Sequence, residues 1–149
     1  MKTKIYYFAY GSNLSERQML QRCPHAIVVG KARVKNYQLE ITGYSKRWRG
    51  GAATLVRRND REVWGVVYLL DQDCLLRLNG FEGVKYRRYD TTYLTCHFSN
   101  GRKRRVLTYF REPRRLSHPS SIYRALIING AKHFELPPSY IARLQTELR

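Results

Sequence analysis

Residues 63–70 read Val-Trp-Gly-Val-Val-Tyr-Leu-Leu, an almost unbroken apolar run. It falls far short of the roughly 18 to 20 apolar residues that a membrane-crossing helix needs, and no other stretch is longer. At this length the run reads as a β-strand covered on both faces, which places it centrally in a sheet.

Turn chemistry divides the rest. Residues 4–9 are aromatic and β-prone, Gly11-Ser12-Asn13 breaks them, and Ser15 opens a helix behind a capping side chain. Residues 26–42 fit two short strands or one bent strand, and residues 43–51 form a polar, basic loop. Residues 52–58 and 62–70 read as two strands joined through Asn59-Asp60. Asp71 starts a short helix ending at Asn79-Gly80, just before Phe81-Glu82-Gly83-Val84. Residues 89–98 and 102–110 form a hairpin through Asn100-Gly101. Beyond the loop 113–119, Ser120 opens a helix with Ile122, Leu126 and Ile127 near one face, and Pro137-Pro138 begins a last one carrying Ile141, Leu144 and Leu148. Strands dominate and do not alternate strictly with helices, so the fold class is α+β. The expected architecture is a curved, partly closed, barrel-like mixed sheet with flanking short helices, in one domain spanning residues 1–149.

Charge narrows the function. The 149 residues carry 28 Lys+Arg against 11 Asp+Glu, a formal net charge of +17, but 43% hydrophobic content supplies a core and argues against disorder. With neither a membrane span nor a signal peptide legible, the expected location is the cytoplasm. Cys23, Cys74 and Cys96 match no zinc or redox spacing and are expected to be reduced structural thiols. His25, His97, His118 and His133 form no metal-binding pattern, so no metal site is expected.

Two segments carry chemistry. Tyr10-Gly11-Ser12-Asn13-Leu14 sits at a strand-to-helix turn, where backbone N–H groups can face an anion or a developing oxyanion, or where Ser12 or Asn13 acts as an ordinary cap. Glu82 is flanked by Phe81, Gly83 and Val84, a setting where burial raises a carboxylate's pKa and suits it to proton transfer. Its plainer alternative is an ion pair with Arg87 or Arg88.

Taken together and in order, these segments resemble the γ-glutamylcyclotransferase family. The resemblance rests on Tyr7-Phe8-Ala9-Tyr10-Gly11-Ser12-Asn13-Leu14, then Trp48-Arg49-Gly50-Gly51-Ala52-Ala53-Thr54, then Glu62-Val63-Trp64-Gly65-Val66-Val67-Tyr68. It continues through Leu78, Glu82-Gly83-Val84, Tyr86, residues 119–123, Gly130-Ala131-Lys132, Leu136-Pro137 and Tyr140. It implies an enzyme that converts a small γ-glutamyl amine into 5-oxoproline and a free amine, with no cofactor or metal. It further implies Glu82 as catalytic acid/base, Tyr7, Phe8, Ala9, Tyr10, Gly11 and Ser12 as the loop gripping the glutamyl group, with Asn13 beside it, and Tyr123 as the tyrosine closing the site. Unless it serves the site, Tyr123 reads as a core residue on a helix face.

Two features depart from the family pattern. Phe81 stands where several cyclotransferases have glutamine, and the basic clusters at 46–49, 87–88, 102–105 and 111–115 exceed what steering a small anion requires. Chains of the superfamily act on γ-glutamyl amino acids, on γ-glutamyl-ε-lysine or on γ-glutamyl groups of small intermediates, so the leaving amine stays open. Residues 43–51 and 113–119 are the expected selectors. The alternatives are a nucleic-acid or other polyanion-binding protein on this fold and a non-catalytic γ-glutamyl binder. None of these features encodes an oligomeric state.

Overall fold

The structure, a computed structural model, describes residues 4–86 and 88–149, the Tyr86 side chain excepted. In chain order the elements are β1 (Ile5–Ala9), a 3-10 turn (Ser12–Leu14), α1 (Glu16–Arg22), β2 (Ile27–Ser45), β3 (Gly50–Leu70), α2 (Gln72–Glu82), β4 (Asp90–Phe98), β5 (Lys103–Phe110), α3 (Ser121–His133) and α4 (Pro138–Glu147). The strands form a closed barrel in the order β1-β3-β2-β4-β5. Closure comes from a parallel contact between β1 and β5 at Tyr7 and Leu107, while the other neighbours run antiparallel. The α+β, mixed-sheet expectation therefore holds, with the sheet closed rather than partly open.

The apolar run occupies the middle. Val67 pairs with Phe8 of β1 on one side and Gly30 of β2 on the other, and Val66, Val67 and Tyr68 are wholly buried. Asn59-Asp60 makes no hairpin: β3 continues through it, opposite a register shift between Lys35 and Tyr37 in β2. Asn36 and Asp60 both take positive φ, and the Asp60 amide donates to Asn36 Oδ1 at 3.3 Å, so the pair bends a long two-stranded ribbon. The expected loop 43–51 is mostly strand, its turn confined to residues 46–49.

Helix starts follow the capping side chains, with Ser15, Asp71 and Ser120 accepting from the amides of Gln18, Cys74 and Tyr123. Helix α2 does not stop at Asn79-Gly80. It continues to Glu82 and ends on Gly83 at φ 67°, the left-handed cap that glycine adopts without a Cβ penalty. In α3 the buried face is Tyr123, Ile127, Gly130 and Ala131, whereas Ile122 is exposed. Cys23 and Cys74 are paired as a disulfide linking the C-terminal end of α1 to α2, with Cα atoms 5.2 Å apart, so the expectation of reduced thiols stands only for buried Cys96. Among the described residues no helix is long and apolar enough to cross a membrane.

The turn after β1 rests directly on α3. A Cβ on Gly130 would lie 2.4 Å from the Leu14 backbone, closer than packed atoms tolerate. Gly130→Ala is expected to lower stability by about 1–3 kcal/mol, the range for overpacking. Urea unfolding checks this, and an unchanged midpoint would contradict the packing described.

Candidate active site

A cavity of about 260 Å³ opens where the ends of β1, β5 and α2 meet the β2–β3 turn. Glu82 stands on its wall because α2 runs one turn further than its Asn-Gly signal suggested, with Gly83 fixing where the helix stops. The Glu82 side chain is only 17% exposed, and Oε1 lies 3.7 Å from Nη1 of Arg22, itself buried at the end of α1. Burial pushes the Glu82 carboxyl above its usual range, and Arg22 and then Arg47 pull it part of the way back. Its place in the last turn of α2, the negative end of the helix dipole, disfavours the carboxylate further.

Asn13 links the turn to this ion pair. Its Nδ2 donates to the Tyr7 hydroxyl at 2.9 Å and reaches Glu82 Oε1 at 3.5 Å. Its Oδ1 accepts from Gln18 Nε2 at 3.1 Å and from Arg22 Nη1 at 3.2 Å, while Tyr68 donates to its carbonyl at 3.1 Å. Gln18 also donates to Ser12 Oγ at 2.9 Å. The turn's own ladder begins with the Leu14 amide donating to the Gly11 carbonyl, so the amides ahead of it lie outside that ladder.

Tyr123 projects from α3 across the cavity. Its hydroxyl accepts from the Ala53 amide at 2.9 Å, its ring lies 5.1 Å from that of Trp48, and a Cβ at Gly11 would sit 3.5 Å from its oxygen. Burial pushes Tyr123 up to about 12 and Tyr7, Tyr10 and Tyr89 well above the usual phenol value, so near neutrality these groups are hydrogen-bond donors rather than bases.

The structure thus brings Tyr7, Tyr10, Gly11, Ser12, Asn13, Glu82 and Tyr123 onto one cavity. Phe8 and Ala9 are not on its wall; both are buried in the core at 0% and 1% exposure, Phe8 on the strand face opposite Tyr7. Glu82 forms an ion pair with Arg22, a partner remote in sequence, and Arg87, one of the partners its sequence neighbourhood suggested, lies outside the described residues. Sequence reasoning missed Arg22, the side-chain role of Asn13, and Tyr89 and Tyr109, which complete the wall. Arg22 stands out only as a cation on the same short helix as the capped turn. Among the described residues no cluster of His, Cys, Asp and Glu could hold a metal ion.

The model of the AIG2-like family matches residues 62–144. The γ-glutamylcyclotransferase of Mus musculus is 32% identical over 143 residues, covering 93% of this chain and 76% of that protein. The chain belongs to the γ-glutamylcyclotransferase family. The Bos taurus γ-glutamylcyclotransferase is 33% identical over 144 residues, 94% of this chain and 77% of that one. A solved γ-glutamyl cyclotransferase structure superposes with a TM-score of 0.93 at 30% identity, over 97% of this chain and 88% of that chain. Family membership thus agrees with the barrel and makes this chain an enzyme of the cyclotransferase type.

Replacing Arg22 removes the largest influence that lowers the Glu82 pKa. Glu82 is therefore expected to titrate above ordinary carboxylates in the wild type and higher still in Arg22→Met. Carboxyl ¹³C NMR titration measures both, and an unchanged or lower value in the variant would contradict the assigned pairing.

Proposed function

We propose that this chain, acting as a single cyclotransferase domain, cyclises a small γ-glutamyl amine to 5-oxoproline and releases the amine, with Glu82 as the general acid/base. The observation that carries this reading is a carboxylate with a raised pKa on the wall of a cavity of about 260 Å³, tethered to Asn13 of the capped turn. The substrate's α-amine is mostly protonated near neutrality and must lose a proton before attacking its own γ-carbonyl. Glu82 as carboxylate takes that proton. The amine nitrogen then bonds to the γ-carbon, Glu82 returns its proton to the leaving nitrogen as the bond from that carbon to it breaks, and the surplus proton left on the ring nitrogen passes to the freed amine, which departs as an ammonium.

No group transfers to the enzyme, so beyond the proton the enzyme contributes mainly by holding the glutamyl chain in its ring-closing shape. Amides at Gly11, Ser12 and Asn13 hold the substrate's α-carboxylate or its oxyanion, with Tyr7 and Tyr10 beside them. Tyr123, which accepts from the Ala53 amide at 2.9 Å, keeps its own O–H for a donor role over the substrate. Phe8 and Ala9 support this loop from the core. We place the reaction in the cytoplasm, and the buried Cys23–Cys74 pair takes no part in the chemistry. The cavity suits a small ligand, and a nucleic acid is too large for it.

Measured 5-oxoproline release from γ-glutamyl-alanine is expected to fall at least about 10²-fold in Glu82→Gln, the lower end for general acid–base catalysis. Equal rates in the two proteins would remove Glu82 from the mechanism.

A further inference from the structure

Two basic clusters far apart in sequence converge on the cavity. Lys46 and Arg47 come from the β2–β3 turn, and Arg111 and Arg114 follow β5; all four line the cavity. The two segments are laced together: the Gly43 amide donates to the Arg115 carbonyl at 2.9 Å, and Ser117 Oγ donates to the Gly43 carbonyl at 2.7 Å. A Cβ on Gly43 would meet Arg114 Cδ at 3.1 Å and Arg111 Nη2 at 3.3 Å, so both arginines crowd the same glycine.

None of these four cations forms an ion pair with a carboxylate among the described residues. The Arg111 guanidinium is held by backbone instead, donating to the Thr42 carbonyl and, at 3.3 Å, to that of Ala52. Its Nε is buried with no partner among the described residues. Arg47 donates to the Phe81 carbonyl at 3.2 Å and lies 5.4 Å from the Phe81 ring centre, while Arg22 lies on that ring at 4.7 Å. Phe81 therefore holds Arg47 at the cavity and contacts both guanidinium groups through one ring. Arg47 is offset in part by Glu82, whereas Lys46, Arg111 and Arg114 have no carboxylate partner among the described residues; like charges on one cavity rim repel one another, and an anion seated among them relieves that repulsion.

We infer that this rim is an anion subsite for the leaving amine, and that the amine it selects carries two carboxylates, as in a γ-linked acidic amino acid. The inference rests on the cyclotransferase reading above. Within that reading the turn and Glu82 account for the glutamyl half of the substrate, and Arg22 is already offset by Glu82. Four rim cations exceed what a single carboxylate on the leaving amine neutralises. They also repel a leaving amine of the lysine type, whose free end is cationic.

The test compares kcat/KM for γ-glutamyl-methylamide, γ-glutamyl-alanine and γ-glutamyl-glutamate, whose leaving amines carry no, one and two carboxylates. Each added carboxylate is expected to raise kcat/KM by about tenfold at low salt, as for a charge-assisted contact, with the advantage shrinking as salt is added. In Arg114→Gln and Lys46→Gln, which alter exposed side chains, the ratio of γ-glutamyl-glutamate to γ-glutamyl-methylamide is expected to fall about tenfold, again the size of one charge-assisted contact. Melting curves establish that both variants fold. Rates independent of the leaving group's charge, or a ratio unmoved by either substitution, would overturn the subsite while leaving the cyclotransferase reading intact. Absence of 5-oxoproline from all three compounds would overturn that reading, and the subsite with it.

Discussion

Burying a carboxylate at the C-terminal end of a helix works against both desolvation and the helix dipole, and the cavity is organised around that cost at Glu82. Arg22 meets it only in part, at 3.7 Å rather than in tight contact. Asn13 occupies the space between, donating toward the carboxylate and accepting from the arginine. A closer, fully paired Arg22 would leave Glu82 a strongly stabilised carboxylate with little affinity for a proton. The looser arrangement keeps the group able both to take a proton and to give it back.

The scaffold serves this placement. Central β3 pairs with β1 and β2, which sets the direction in which the chain leaves β1 and enters the capped turn. Gly130 lets that turn lie against α3, and the same helix sends Tyr123 across the cavity. Gly83 ends α2 at Glu82, while the Cys23–Cys74 link joins α2 to the helix that carries Arg22. Each partner of the ion pair thus sits at the end of its own helix, and those helices are joined to each other.

Local signals in the sequence carried most of the fold. Capping side chains at Ser15, Asp71 and Ser120 set the helix starts, and Asn100-Gly101 set the hairpin, because each acts over a few residues. The signals that misled were also local. Asn59-Asp60 resembles a turn, but Asp60 tolerates a positive φ inside a strand and pairs with Asn36, so it bends the ribbon instead of reversing it. Asn79-Gly80 resembles a helix stop, but Gly83 supplies the left-handed cap three residues later.

The cavity was legible where residues adjoin in sequence and illegible where they meet only through the barrel. Tyr7 to Asn13 form one segment, whereas Arg22, Tyr109 and the rim arginines reach the site from separate elements. Strand alternation puts Phe8, inside the same motif, on the face opposite Tyr7 and so in the core, while Ala9 is buried on Tyr7's own face without reaching the cavity wall. The central claim is that the ionisation of Glu82 governs turnover. Its most direct test is the pH dependence of kcat/KM for γ-glutamyl-alanine, set beside the titration of Glu82 in the same protein. With the carboxylate as the proposed active form, the rate is expected to rise with pH through the raised pKa of Glu82, above the ordinary value of 4.5, with both curves sharing a midpoint. An acid limb at a different pH, or a rate flat across that titration, would contradict the account.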